Sequence, residues 1–130
     1  MTRDDVQRWL DRYVEAWQTY DGATIGELFA DAAEYRYTPW GKPTVGREAI
    51  VDDWLHPTPP AGRDEPGTWK AHYEPYAVDG DRAVAIGETW YYADASRAQE
   101  TRHYWNLWTL AFDADGRCVD FVEYFMERKR

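Results

Sequence analysis

The stretch H-Y-W-N-L-W-T-L-A-F, residues 103–112, carries large apolar groups at odd and even positions alike. Strand alternation puts His103, Trp105, Leu107, Thr109 and Ala111 on one side and Tyr104, Asn106, Trp108, Leu110 and Phe112 on the other. Neither side reads as a solvent face, so each needs a cover. What covers each side is the question from which the rest of the chain is read.

The chain has 130 residues, the size of one domain, and we read residues 1–130 as that single domain. It carries 24 acidic and 15 basic residues, a formal net charge of -9. That balance argues against nucleic acid and against an anionic membrane surface as partners. No apolar run approaches the roughly 20 residues of a membrane helix. The start M-T-R-D-D-V-Q-R-W has no apolar signal core, so the expected location is cytoplasmic. Cys118 is the single cysteine, which leaves no internal disulfide and no thiolate cluster. Eight Trp and ten Tyr are far more than a small core needs. The surplus predicts a lined pocket, a subunit interface, or both.

Val6, Trp9, Leu10, Tyr13, Val14 and Trp17 recur at helical spacing and predict a first helix over about residues 3–20. Thr2 and Asp5 match a capping box at its start. Asp21-Gly22 breaks it, and Thr24 with Glu27 signals a short second helix. Glu34 to Thr38 reads as a strand, and a third helix opens at Gly46. His56 to Thr68, with four prolines and two glycines, is a loop, either a lid or an uninvolved surface excursion. Period-2 patterning then gives four strands over 69–78, 82–93, 101–112 and 117–126. Pro75 places an edge or a bulge in the first of them. Helices first and antiparallel strands last make an α+β protein.

Sorting the strands by face leaves Glu88 among Val84, Ile86 and Trp90, and Glu123 among Val119, Phe121 and Phe125. A carboxylate in the middle of an apolar face is desolvated, which raises its pKa and suits it to acid–base work. An inward glutamate can equally serve as a plain hydrogen-bond partner for a Trp, Tyr or Arg. His103 is a candidate proton shuttle or a structural group. The three histidines lack H-x-H or H-E-x-x-H spacing, so no metal is expected. Ser96 lacks a nucleophile elbow, and the chain has no G-x-G-x-x-G and no P-loop.

Four short stretches in this order carry a family resemblance: Y-V-E-A-W-Q-T-Y-D-G (13–22), F-A-D-A-A-E-Y-R-Y-T-P (29–39), G-R-E-A-I (46–50) and D-G-R-C-V-D-F-V-E-Y-F (115–125). The chain resembles the nuclear transport factor 2-like superfamily, and within it the SnoaL-like branch. The resemblance implies a cone-shaped curved antiparallel sheet wrapped around N-terminal helices, with a pocket between them. It also implies a homodimer joined through the outer face of the sheet. On this reading the His103, Trp105, Leu107 side looks into the pocket, and Tyr104, Trp108, Leu110 and Phe112 meet a second subunit.

The limonene epoxide hydrolase type carries W-R-D-Y-F on its last strand, and F-V-E-Y-F here puts Glu123 on its catalytic acid. Its arginine and second aspartate fall on Glu88 and Trp90, and its water-holding tyrosine and asparagine on Tyr35 and Tyr37. Only the tyrosine is kept, so an Asp-Arg-Asp epoxide mechanism does not carry over. The ketosteroid isomerase type needs a base with an oxyanion hole of Tyr and a protonated acid. The implied function is a small-molecule-binding protein for an apolar or aromatic ligand, with or without cofactor-independent acid–base chemistry. The implied catalytic group is Glu123 with Glu88 as neighbour, and Tyr35 and His103 orienting water or an oxyanion. Tyr13, Trp17, Tyr37 and Trp54 would line the pocket, together with Trp90, Trp105 and Leu107. The alternative is a non-catalytic dimeric binding or scaffold domain with a filled cavity.

Overall fold

A computed structural model describes residues 1–129; Arg130, the last residue of the expected domain, lies outside the described residues. Three helices and six strands follow in the order α1 (Arg3–Thr19), α2 (Gly22–Glu27), β1 (Phe29–Arg36), β2 (Thr44–Val45), α3 (Arg47–Leu55), β3 (Trp69–Asp79), β4 (Arg82–Tyr92), β5 (Glu100–Phe112) and β6 (Cys118–Glu127). The strands form one curved, unclosed sheet in the order β2-β1-β6-β5-β4-β3. All neighbours are antiparallel except β1 and β6, which run parallel. The α+β expectation holds, with a mixed rather than purely antiparallel sheet.

Helix α1 starts on the expected capping box: Thr2 Oγ1 accepts from Asp5 N, and the Asp5 carboxylate accepts from Thr2 N. Helix α2 begins earlier than expected. Its cap is Asp21, whose Oδ2 accepts from both the backbone N–H and the hydroxyl of Thr24. The T-x-x-E pattern is thus inside the helix, because an aspartate three residues upstream takes the capping role. Strand β1 extends back to Phe29 through a register shift between Phe29 and Glu34, and β2 was not anticipated. Pro75 lies on edge strand β3, where the register shifts between Pro75 and Ala77. A residue without an N–H is tolerated there because no further strand needs it.

The apolar stripe of α1 lies across one face of the sheet, burying Val6, Trp9, Leu10, Tyr13 and Ala16. The Trp9 ring meets Phe112 edge-on at 5.5 Å, and its Nε1–H donates to Leu28 O at 3.0 Å. Tyr13 stacks parallel to Phe121 at 5.7 Å and contacts Trp108 at 4.6 Å. The face that α1 covers is therefore the Asn106, Trp108, Leu110, Phe112 side of β5, all four of them buried. This inverts the expectation for residues 103–112. His103, Trp105 and Leu107 lie on the far face, away from the helices, and Trp105 is 53 % exposed. Trp108, Leu110 and Phe112 are spent within the chain's own core and cannot form a subunit contact.

Candidate functional site

Register decides which side chains meet. Residues directly opposite each other in an antiparallel ladder share a face. Glu88 stands opposite Trp105, and Glu123 stands opposite Trp108. Positions 105 and 108 differ by an odd number, so the two glutamates lie on opposite faces of the sheet. The expected pairing of Glu88 with Glu123 fails for this reason. On the outer face, Glu88 Oε2 lies 2.6 Å from His103 Nε2, and the His103 ring stacks on Trp90 at 5.0 Å. Trp90, Trp105, Leu107 and His103 are thereby removed from the expected pocket and site.

Glu123 points inward, into a cavity of about 580 Å³ between the sheet, α1, α3 and the loop 56–68. Tyr13, Trp17, Tyr35, Tyr37 and Trp54 also line it. A one-way chain of hydrogen bonds ends on the acid. The amide oxygen of Asn106 can only accept, so Thr89 spends its single proton on it, Oγ1 to Oδ1 at 2.9 Å. Tyr73 must then be the donor to Thr89 Oγ1, at 2.5 Å. Asn106 Nδ2 in turn donates to Glu123 Oε1 at 2.8 Å. Glu123 Oε2 is buried with no hydrogen-bond partner, and so is Nε1 of Trp108, its neighbour across the ladder. Burial pushes the Glu123 carboxyl from the usual 4.5 up to about 8, against the opposing pull of the Asn106 bond. At neutral pH the acid is mostly protonated, and the uncommitted oxygen is Oε2.

Gly87 makes room for this chain. It stands opposite Tyr73, and a Cβ there would lie 2.0 Å from the His72 carbonyl and 2.4 Å from the Tyr73 ring. Only glycine lets that ring lie flat over β4 and bring its hydroxyl to Thr89. Tyr13 and Tyr35 form a second polar unit, their hydroxyls 2.6 Å apart. The pair holds two hydroxyl protons and one mutual bond, which leaves one proton for the cavity. Burial raises the pKa of Tyr13, Tyr35 and Tyr73 well above the ordinary tyrosine value, so all three stay protonated.

The proline-rich loop forms part of the cavity wall through Pro57, Thr58, Ala61, Gly62 and Asp64. Asp64 Oδ2 accepts from Trp17 Nε1 at 2.9 Å, and its backbone N–H donates to the Tyr20 hydroxyl at 2.9 Å. Burial raises the Asp64 pKa, with the Trp17 bond opposing. Beside it, Arg102 lies over the Tyr91 ring at 4.2 Å and donates from Nη1 to the Tyr104 hydroxyl at 3.2 Å. The sequence reading missed Tyr73, Thr89, Asn106, Trp108, Asp64 and Arg102. The even-numbered run 102 to 108 on β5 was visible as one face; the parity of its partner strands was not. Among the described residues no three His, Cys, Asp or Glu side chains are grouped to hold a metal ion. No helix there is long and apolar enough to cross a membrane.

An α+β fold with a mixed sheet over N-terminal helices, and a cavity between them that holds a desolvated acid, defines a class of pocket-bearing domains. The chain belongs to the SnoaL-like domain family, whose match covers residues 10–121, within the nuclear transport factor 2-like superfamily. Among solved structures it is similar to an NTF-2 like protein of unknown function from Burkholderia xenovorans LB400. The two share 17% identity and a TM-score of 0.67, over 98% of this chain and 87% of that one. That likeness supports the fold alone. No curated protein matches the sequence.

Proposed function

We propose that the cavity binds a small, mostly apolar or aromatic molecule, and that Glu123 acts as general acid or base on its polar group without a cofactor. One observation carries this reading. Glu123 Oε2 is buried and uncommitted at the floor of an aromatic cavity, on an acid whose other oxygen is held by Asn106. A protonated carboxyl with a pKa near the working pH can give a proton to a developing oxyanion and take one back. The free indole N–H of Trp108 and the spare proton of the Tyr13–Tyr35 pair would add donors on the same side. The open volume speaks against a cavity filled by side chains, as a purely structural domain would have. Glu88 and His103 have no part in this site. The test is a thermal-shift screen of aromatic and alicyclic carbonyl compounds, followed by turnover assays on the hits. Stabilising hits and turnover lost by at least a hundredfold in Glu123→Gln support the reading. Turnover unchanged in that variant removes Glu123 from the chemistry, and a screen without a single hit removes the pocket.

We propose also that two copies join through the outer sheet face. All three helices lie on the other side, leaving Trp105, Tyr124 and Met126 outward at 53, 41 and 75 % exposure. An apolar sheet face of this kind fits a self-complementary partner. Trp105→Glu tests it, as argued below.

A further inference from the structure

We propose that the ligand of this cavity is an organic carboxylate, and that Arg102 is the residue that selects it. The proposal rests on the pocket reading above and adds the chemistry of the ligand's far end. Arg102 is the only lysine or arginine among the described residues that line the cavity. Nearby arginines have other work. Arg63 Nε donates to Leu55 O at 2.9 Å, and Arg97 donates to the carbonyls of Gly67 and Trp69 at 2.9 and 3.0 Å. Arg102 makes no ion pair among the described residues. Arg102 is exposed at the cavity mouth, so its guanidinium is open to solvent and to a ligand entering there.

The guanidinium is also held in place. The Tyr91 ring supports its flat face, and Nη1 is fixed by the Tyr104 hydroxyl. One of its five N–H donors is thus spent, and the donors on Nε and Nη2 remain. Two parallel N–H groups match the two oxygens of a carboxylate, a fit that a lysine ammonium lacks. Asp64 is an acid with electrostatic influence on this cation, and its Oδ2 is already committed to Trp17. Arg102 shares the inner face with Asn106 and Trp108. Six residues separate it from the position opposite Glu123, about 20 Å along the strand before side-chain reach is subtracted. The ligand is therefore elongated, with its carboxylate at the mouth, an apolar body along the aromatic wall and its reacting group near Glu123. The bland account is that Arg102 merely offsets Asp64 and covers two tyrosines, in which case ligand charge is irrelevant.

Two probes of one skeleton separate these accounts. N-phenyl-1-naphthylamine, neutral and fluorescent in apolar surroundings, reports occupancy of the cavity. N-phenylanthranilate and its uncharged counterpart diphenylamine then compete for it. Trp105→Ala, on the outer face, should leave the reporter signal per chain unchanged whether or not two copies stay joined, because the cavity is lined by one chain. That result places the dye inside. The expected result is displacement by N-phenylanthranilate at a concentration at least tenfold below that of diphenylamine. Arg102→Gln should erase that advantage while leaving diphenylamine unchanged, and Arg102→Lys should keep only part of it. Equal displacement by the two competitors in the native chain overturns the proposal, as does a preference that survives Arg102→Gln. Both outcomes leave the pocket standing. Failure of the reporter to bind at all, or a signal lost in Trp105→Ala, overturns the pocket reading and this proposal together.

Discussion

The two faces of β4 are built from opposite kinds of residue. Outward lie Val84, Ile86, Glu88 and Trp90; inward lie Ala83, Ala85, Gly87 and Thr89. The larger, more apolar set faces away from the core, and the small set faces into it. The reason is what lies on top. Tyr73, Trp108 and the rings of α1 fill the space over the small residues, and whatever they leave becomes the cavity. Bulk on a strand marks the inner face only when nothing else brings bulk to it. Here the inner rings arrive from α1 and from the neighbouring strands. The same contrast separates the two glutamates. Glu88 sits among large neighbours and has His103 as a partner, whereas Glu123 sits under imported rings with one oxygen unpartnered.

The largest effect is expected at the smallest inner residue. Gly87→Ala drives a Cβ into backbone as well as ring, at 2.0 Å from the His72 carbonyl and 2.8 Å from Tyr73 Cα. A flexible side chain could move aside, but a paired strand cannot do so without giving up its ladder. A loss of about 4 kcal/mol is expected, above the usual cost of over-packing because paired backbone and not a side chain alone must move. Chemical denaturation measures it. The surviving folded fraction should show Tyr73 displaced from Thr89. A variant as stable as the native chain would mean that β3 and β4 approach less closely than described.

Next in size is the pH response set by Glu123. Glu123 has its folded-state pKa raised, so between about 4.5 and 8 the folded chain holds a proton that the unfolded chain has released. Stability linked to this group is fully present below about 4.5 and is lost as pH rises through about 8. The swing is about 3 kcal/mol once water entering the cavity is allowed for. Glu123→Gln should remove most of that fall and make the variant the more stable protein above pH 8. Glu88→Gln, on the other face, should leave the fall in place. Denaturation midpoints for the three proteins from pH 5 to 9 decide it; identical slopes in all three would return Glu123 to an ordinary, solvated acid.

Much of the fold was legible because helices declare themselves locally. The capping box at Thr2, the apolar stripe of α1 and the period-2 runs after residue 68 each depend on neighbours in sequence. The site was half legible for a different reason. Alternation sorts a strand into two sets, but which set faces the helices depends on register with strands far away in sequence. Glu123, Tyr35, Tyr13, Trp17, Tyr37 and Trp54 line the cavity, while Glu88, His103, Trp90, Trp105 and Leu107 lie on the opposite face of the sheet. A usable signal lay in the second half of 103–112. Trp108, Leu110 and Phe112 outweigh Leu107, Thr109 and Ala111, and this is where α1 rests. Asp64 and Arg102 gave no signal, since a loop and a strand end acquire meaning only when the cavity between them is formed.

The smallest effect on chain stability should come from the outer tryptophan. Trp105 is 53 % exposed and faces away from every helix, so Trp105→Glu takes little from the chain's own core. A change under about 1 kcal/mol is expected for the single chain, as for other substitutions away from buried contacts. Association should change far more. A tryptophan at the centre of an apolar contact is the kind of residue whose loss dissociates it. A glutamate there, near the existing Glu88 and mirrored by its copy across a two-fold axis, adds like-charge repulsion. Sedimentation velocity should find dimers of the native chain and monomers of the variant, both with native circular dichroism. A native chain that stays monomeric over the accessible concentration range removes the outer-face dimer. A variant that unfolds instead would mean that Trp105 supports the single chain, and the contrast between the two faces would be weaker than their exposure implies.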